Sequence, residues 1–307
     1  MNKPTKQTAG GRAYLELQNR ARRERRTTQE LLILYVLERW LARLAISSHA
    51  ERFILKGGLL LHALDARRPT VDADLLARQI ANDVDAVAAR VTEIAQIGLD
   101  DDDGVVFLPE TIVAEVIRED ALYAGVRIHM DARIDRASVK LKLDVNIGDP
   151  VTPGPQVMEL PSQRPSYPPV VIQGYPIETI CAEKAATAIA LGAANSRVRD
   201  FVDIFTLTGR FSLTYTAMRG ALEATLRYRD VEIVPLSTVI GDLATSRERA
   251  YQAYKRRLGV DGAGLPGDFS TIVSAVATFV DPLAGTGTSE SAWDHNVRAW
   301  RRDVKMM

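Results

Sequence analysis

The 307-residue chain has a single cysteine, Cys181, so no internal disulfide can form, a usage that fits a reducing compartment. No stretch approaches the roughly 18 apolar residues that a membrane span requires. The opening MNKPTKQTAGGRAY is polar and holds no apolar run of the kind a secretory leader carries, so neither membrane insertion nor secretion is expected and the predicted location is cytoplasmic. Net charge is lacking too. Lys plus Arg balance Asp plus Glu at 39 each, and any basic surface must therefore be local. There is no GxxxxGK[ST] segment, which excludes a P-loop, and no repeat at solenoid periods. His49, His62, His129 and His295 show no metal-ligand spacing, and none belongs to a serine or cysteine motif for nucleophilic catalysis.

What is present is an ordinary globular composition, 46% hydrophobic and 25% charged, in a chain long enough for two cores. The expected division is residues 1–165 and 166–307, with a cleft between them. Residues 1–11, rich in Gly, Thr and Lys, are expected to be mobile. From Thr28, apolar residues recur at helical spacing through Leu31, Leu32, Tyr35, Val36, Trp40, Leu41 and Leu44, with Thr27 or Thr28 as N-cap and an end near Ile46. Phe53-Ile54-Leu55 reads as a buried strand meeting the Gly57-Gly58 turn and then a helix. Val71 to Leu75 alternates as a half-exposed strand, Ala77 to Ile97 returns to helical spacing, and β-rich segments follow near 105–117, 125–132 and 138–147. Eight of the fourteen prolines fall between Asp149 and Pro176, predicting an extended connection. Beyond it, helical spacing runs from about Ile177 to Leu191, resumes after Arg197 and dominates to the C-terminus. The expected fold class is α/β (α+β), a small mixed sheet with helices followed by a mainly α-helical domain.

Asp72 and Asp74 are separated by one residue, so on a strand both carboxylates leave one face while Val71, Ala73 and Leu75 face the core. A hard divalent cation relieves their repulsion, and oxygen ligands at this spacing suit Mg²⁺ or Mn²⁺ bound with substrate phosphates. Alone, the pair reads more readily as a solvated strand face, since exposed carboxylates are common. In Ser138–Gly148 the apolar residues Val139, Leu141, Leu143, Val145 and Ile147 share one face, leaving Lys140, Lys142, Asp144 and Asn146 on the other. If that strand lies beside Val71–Leu75, Asp144 completes a three-carboxylate set with lysines near it. Gly57-Gly58, after Lys56 and before a helix, offers bare backbone amides for a triphosphate, although such turns are common for conformational reasons alone.

These residues reach a family. Lys56-Gly57-Gly58 followed by Arg68-Pro69-Thr70-Val71-Asp72-Ala73-Asp74 resembles the signature of the nucleotidyltransferase superfamily, and more narrowly that of the AbiEii-type toxins, including the MenT group. The resemblance continues through Lys140–Val145, through Tyr175–Lys184 with its Ala-Glu-Lys, and through Asn195–Asp203 with its Arg-x-Arg-Asp-x-x-Asp, covering about residues 10 to 210. Leu59 departs from the small hydroxyl residue usual after Gly-Gly, and Ala73 from a larger aliphatic. Neither removes a metal ligand.

The resemblance implies a toxin of a bacterial toxin–antitoxin pair that transfers a nucleoside monophosphate from an NTP to RNA, the tRNA 3′ end being the leading acceptor. Its catalytic set would be Asp72, Asp74, Asp144, Lys184, Asp200 and Asp203, the first three also binding metal. Lys56, Gly57, Gly58, Lys142 and Arg197 would bind nucleotide, and Thr70, two residues before Asp72, would be a regulatory position where phosphorylation adds charge beside the carboxylates. A cognate antitoxin is the implied protein partner. Two other readings stay open: an acceptor that is a protein or small molecule, and a catalytically silent nucleotide-binding scaffold. Asp100–Asp103 reads as a solvated turn. The basic run Asn19–Arg26, and Arg298, Arg301 and Arg302 beside Trp293 and Trp300, read either as RNA contacts or as solvated and core-packed residues.

Overall fold

Thr8 and Thr27 start the first two helices. The Thr8 hydroxyl accepts from Gly11 N at 3.0 Å to cap α1 (Ala9–Glu24), and Thr27 accepts from Glu30 N at 3.1 Å to cap α2 (Thr28–Ala45). A computed structural model describes residues 4–66, 70–80, 83–119, 123–285 and 290–302. They fall into two units, Met1–Gly148 with Gln156–Gly174, and Asp149–Pro155 with Tyr175–Met307.

The first unit continues with β1 (Phe53–Lys56), α3 (Gly57–Ala63), β2 (Ala73–Ala77), α4 (Val84–Ala95), β3 (Val105–Glu119), β4 (Tyr123–Ile134), β5 (Ala137–Ile147), β6 (Gln156–Leu160) and β7 (Val170–Gly174). Among the described residues the strands form one mixed sheet in the order β3-β4-β5-β2-β1-β7-β6. β3, β4 and β5 make an antiparallel meander, β2 runs parallel to β5, and β1 is antiparallel to β2 and parallel to β7. Leu31, Tyr35, Val36, Trp40, Leu41 and Leu44 on α2 are fully buried, packed over β5 and β7. The expected helix face is thus the core face.

Several local expectations change. The segment expected to be mobile to residue 11 is helical from Ala9; residues 1–3 lie outside those described. Gly10 and Gly11 are buried, and a Cβ on Gly10 would come within 2.6 Å of the Asp135 nitrogen, so the missing side chain lets α1 close on the β4–β5 turn. Ala77 ends β2 rather than opening a helix, because pairing on both sides extends the strand past the Asp pair. Helix α4 instead starts after Asp83, whose carboxylate accepts from Ala86 N at 2.8 Å. Of the long helix expected there, residues 81 and 82 lie outside those described.

Asp103 is not solvated. It is 3% exposed, accepts from Arg39 Nε at 3.1 Å and Arg43 Nη1 at 2.7 Å, and holds Val105 N at the start of β3. The proline-rich segment is more than a connection, since it contributes β6 and β7 to the sheet, with Pro161, Pro165, Pro168 and Pro169 confined to the loop between them. That loop is fastened to α2 by buried Glu38, which accepts from Gln163 N at 2.5 Å and Ser162 Oγ at 2.9 Å, and to α1 by Arg164 on Glu16 at 2.7 Å. Burial raises the Glu38 carboxyl above its ordinary range despite these donors.

The second unit is mainly helical: α5 (Ile177–Leu191), α6 (Val198–Thr208), β8 (Leu213–Thr214), α7 (Tyr215–Tyr228), α8 (Leu236–Val239), α9 (Leu243–Leu258), α10 (Phe269–Ala284), β9 (Ser291–Asp294) and β10 (Ala299–Arg302). Phe201, Tyr251 and Phe269 share one aromatic cluster, and Phe279, Trp293 and Trp300 another. Trp293 donates to Thr208 O at 2.7 Å, and the Arg298 guanidinium lies 3.8 Å from the Phe205 ring centre. These residues build the core of the unit rather than a stacking surface. No described helix is long and apolar enough to cross a membrane.

Candidate active site

Strand register assembles the site. Glu115 pairs with Arg127, Arg127 with Asp144, Asp144 with Asp74, and Asp74 with Lys56, so five charged residues from β3, β4, β5, β2 and β1 stand in one row across the sheet. Residues paired in register share a face, and neighbouring strands lie about 4.8 Å apart. On the opposite face Ala73, Leu75, Leu143 and Val145 are 0% exposed and anchor the row to the core. Asp72 lies in the bend just before β2 rather than on the strand, because β2 begins only at Ala73, and Val71, expected to face the core, is 57% exposed. Lys142 lies two residues before Asp144 on β5.

Cations are interleaved with the carboxylates. Arg127 grips Asp144 with both arms, Nε to Oδ1 at 2.8 Å and Nη2 to Oδ2 at 2.7 Å. Lys142 Nζ lies 2.8 Å from Asp72 Oδ2 and 3.6 Å from Asp144 Oδ2. Partial burial alone would lower the Lys142 pKa, but the hydrogen bond and charge of Asp72, with Asp144 behind it, raise it overall. The Asp144 hydrogen bonds raise the Arg127 pKa as well. Among the described residues, no three His, Cys, Asp or Glu side chains stand together as a ready metal cage.

Gly57 follows Lys56 with φ +66°, and a Cβ there would collide with the Asp74 carboxylate, so this turn requires glycine on both conformational and steric grounds. Gly58 is buried in the first turn of α3, and Leu59 beside it is 1% exposed, a core residue. Thr70 is 7% exposed, and its hydroxyl donates to Asp72 Oδ1 at 2.9 Å. Arg68 and Pro69, which precede it in the motif, lie outside the described residues.

In the second unit Lys184 on α5 reaches Asp200 Oδ1 at 2.7 Å and Asp203 Oδ2 at 2.8 Å on α6, while Arg197 is 3.9 Å from Asp200 Oδ2. Asp200 and Asp203 are one helical turn apart, which lets both carboxylates converge on the one ammonium. Burial would push the Asp200 carboxyl up, yet Lys184, helped by Arg199 and Arg197, holds it below its ordinary value.

The chain matches the family model described as nucleotidyl transferase AbiEii toxin, type IV toxin–antitoxin system, over residues 39–274. It belongs to the AbiEii family. The chain is accordingly a nucleotidyltransferase of a toxin–antitoxin system, with a nucleotide substrate and an antitoxin partner implied by membership. JHP933 from Helicobacter pylori is 16% identical, with 83% of this chain and 90% of that one covered and a TM-score of 0.40. A second H. pylori structure, described provisionally as a nucleotidyltransferase, is 16% identical with 84% and 94% covered and a TM-score of 0.41. No curated protein matches.

Within this AbiEii chain, Lys56, Gly57, Asp74, Lys142 and Asp144 come together in the first unit with Asp72 and Thr70, and Lys184, Arg197, Asp200 and Asp203 in the second. Sequence reasoning missed Arg127. Its strand is not marked by any motif, and its place opposite Asp144 depends on a register that alternation alone does not fix. Of the basic run, Arg20 and Arg26 pair with Glu24 and Glu30, while Arg22, Arg23 and Arg25 are exposed.

Proposed function

We propose that the protein transfers a nucleoside monophosphate from an NTP to an RNA hydroxyl, the tRNA 3′ end, with Mg²⁺ or Mn²⁺ at Asp72, Asp74 and Asp144, and that its antitoxin neutralises this activity. The observation that carries the reading is the in-register pairing of Asp74 with Asp144, with Asp72 on the adjoining turn, in a chain of this family. The donor set fits a hard cation: all three groups are carboxylates, and positive charge already settles beside them as Lys142 and Arg127. When bound, the metal supplies charge neutralisation for the triphosphate and acidifies the acceptor hydroxyl.

The protein's own residues divide the remaining tasks. Lys56 and Lys142 balance phosphate charge, and the backbone of Gly57-Gly58 admits the phosphates closely. Lys184 and Arg197 are assigned to further nucleotide charge, and Asp200 and Asp203 to holding the lysine in place. The acceptor oxygen bonds to the α-phosphorus, the bond to the bridging oxygen breaks, pyrophosphate departs and the hydroxyl proton passes to solvent. Thr70 is assigned a regulatory role resting on its hydrogen bond to Asp72: a phosphoryl group there replaces that bond with two negative charges facing the carboxylates.

The test is incubation of the purified protein with each labelled NTP, Mg²⁺ and total RNA, followed by sequencing of RNA 3′ ends. Added nucleotides on tRNA, absent with Asp72→Ala, are expected. Label appearing only on protein or a small molecule would overturn the RNA assignment, and wild-type turnover by Asp72→Ala would overturn the carboxylate assignment.

A further inference from the structure

The salt bridge between Arg127 and Asp144 occupies both oxygens of the most deeply placed carboxylate in the row, which is 5% exposed. A guanidinium does not deprotonate in proteins, so the Arg127 charge persists and the Asp144 oxygens are exposed to a ligand only when the arginine moves. It has room and a second partner. The Arg127 side chain is 29% exposed, and on its far side the register neighbour is Glu115, an exposed carboxylate on β3. A triphosphate offers the same planar fork an equivalent set of anionic oxygens. Formal charges of the row and of the adjoining Lys142–Asp72 pair nearly cancel, with Glu115, Asp144, Asp74 and Asp72 set against Arg127, Lys56 and Lys142. This part of the sheet face therefore has little net attraction for a free divalent ion.

We propose that Arg127 is a positioning residue acting through Asp144: an internal counter-ion that keeps the carboxylate row closed to free divalent cations until a triphosphate draws the guanidinium away. Metal then enters with the nucleotide rather than ahead of it. This rests on the reading of the row as the metal and nucleotide site. A side chain that merely supported the fold would weaken metal binding when removed, whereas a counter-ion strengthens it, so the sign of the change separates the two.

The experiment is titration of full-length protein with Mn²⁺, read by electron paramagnetic resonance without nucleotide and again with a non-hydrolysable NTP analogue. Wild type is expected to take up Mn²⁺ weakly alone and well with the analogue. Arg127→Gln should bind free Mn²⁺ on the order of tenfold more tightly, since a unit positive charge no longer opposes the ion. Arg127→Lys keeps the charge without the fork and should fall between, which carries the test should the glutamine variant fold poorly. Adding Asp144→Asn to Arg127→Gln should abolish the gain. Equal or weaker free Mn²⁺ binding by both Arg127 variants, with wild type still loading Mn²⁺ alongside the analogue, overturns the counter-ion role and leaves the proposed function standing. No Mn²⁺ uptake by any protein, with or without the analogue, overturns both.

Discussion

Gly57 carries two constraints at once, a left-handed φ of +66° and a carboxylate packed where a side chain would begin. Gly57→Ala is expected to destabilise the first unit by about 1–2 kcal/mol from the backbone alone, and to displace Asp74 and cut transfer sharply. Denaturant unfolding paired with a nucleotide-transfer assay reads both, and an alanine variant with wild-type stability and activity would contradict the geometry. Asp72→Ala differs: the side chain is 24% exposed, its loss leaves Lys142 beside Asp144, and stability should change by less than about 1 kcal/mol. The contrast between these two variants separates structural from chemical loss. At this scale the sequence was legible where side-chain period sufficed, as in the Lys-x-Asp of β5, which declares its shared face without any partner, but not for Val71 and Asp72, which precede the strand that was expected to include them. It was silent on Arg127 and Asp103, whose roles depend on which distant residue the fold sets opposite them.

Helices α5 and α6 are pinned by a buried ion cluster rather than by apolar contact alone. Removing Lys184 leaves Asp200 and Asp203, 4% exposed each, without their shared ammonium. Lys184→Ala should therefore cost about 3–5 kcal/mol, and its transfer activity has to be normalised to the folded fraction. The depressed Asp200 carboxyl fixes the pH dependence. Its stabilisation is full above the unfolded carboxylate pKa of about 4 and is lost as pH falls through the lower folded value. Melting curves at and below pH 4 should show wild type losing stability, with Asp200→Asn losing less over the same range; parallel curves would remove the cluster as the cause. Helices with strong spacing, such as α2 and α5, could be read from sequence to within a residue or two. The strands β6 and β7 could not, since the prolines around them outweighed the Val170-Val171-Ile172 run, whose partner β1 lies more than a hundred residues earlier.

The chain's path through its two units is interrupted: it leaves the first after Gly148, returns at Gln156 and departs for good after Gly174. A fragment ending at residue 165 keeps all three carboxylates and β6 but lacks β7, the strand joining β6 to β1. It should show no cooperative thermal transition, whereas a fragment ending at 174 should; cooperative melting of the shorter one would mean that β7 is dispensable. The order of manufacture gives this topology a further meaning. Asp72, Asp74 and Asp144 are all synthesised before the strand that seats β1, and β1 ends on Lys56 beside them. A nascent chain that has passed Asp144 but not yet reached Gly174 thus already carries all three carboxylates while lacking the strand that seats β1, so the groups proposed to do the chemistry exist before the frame that aligns them.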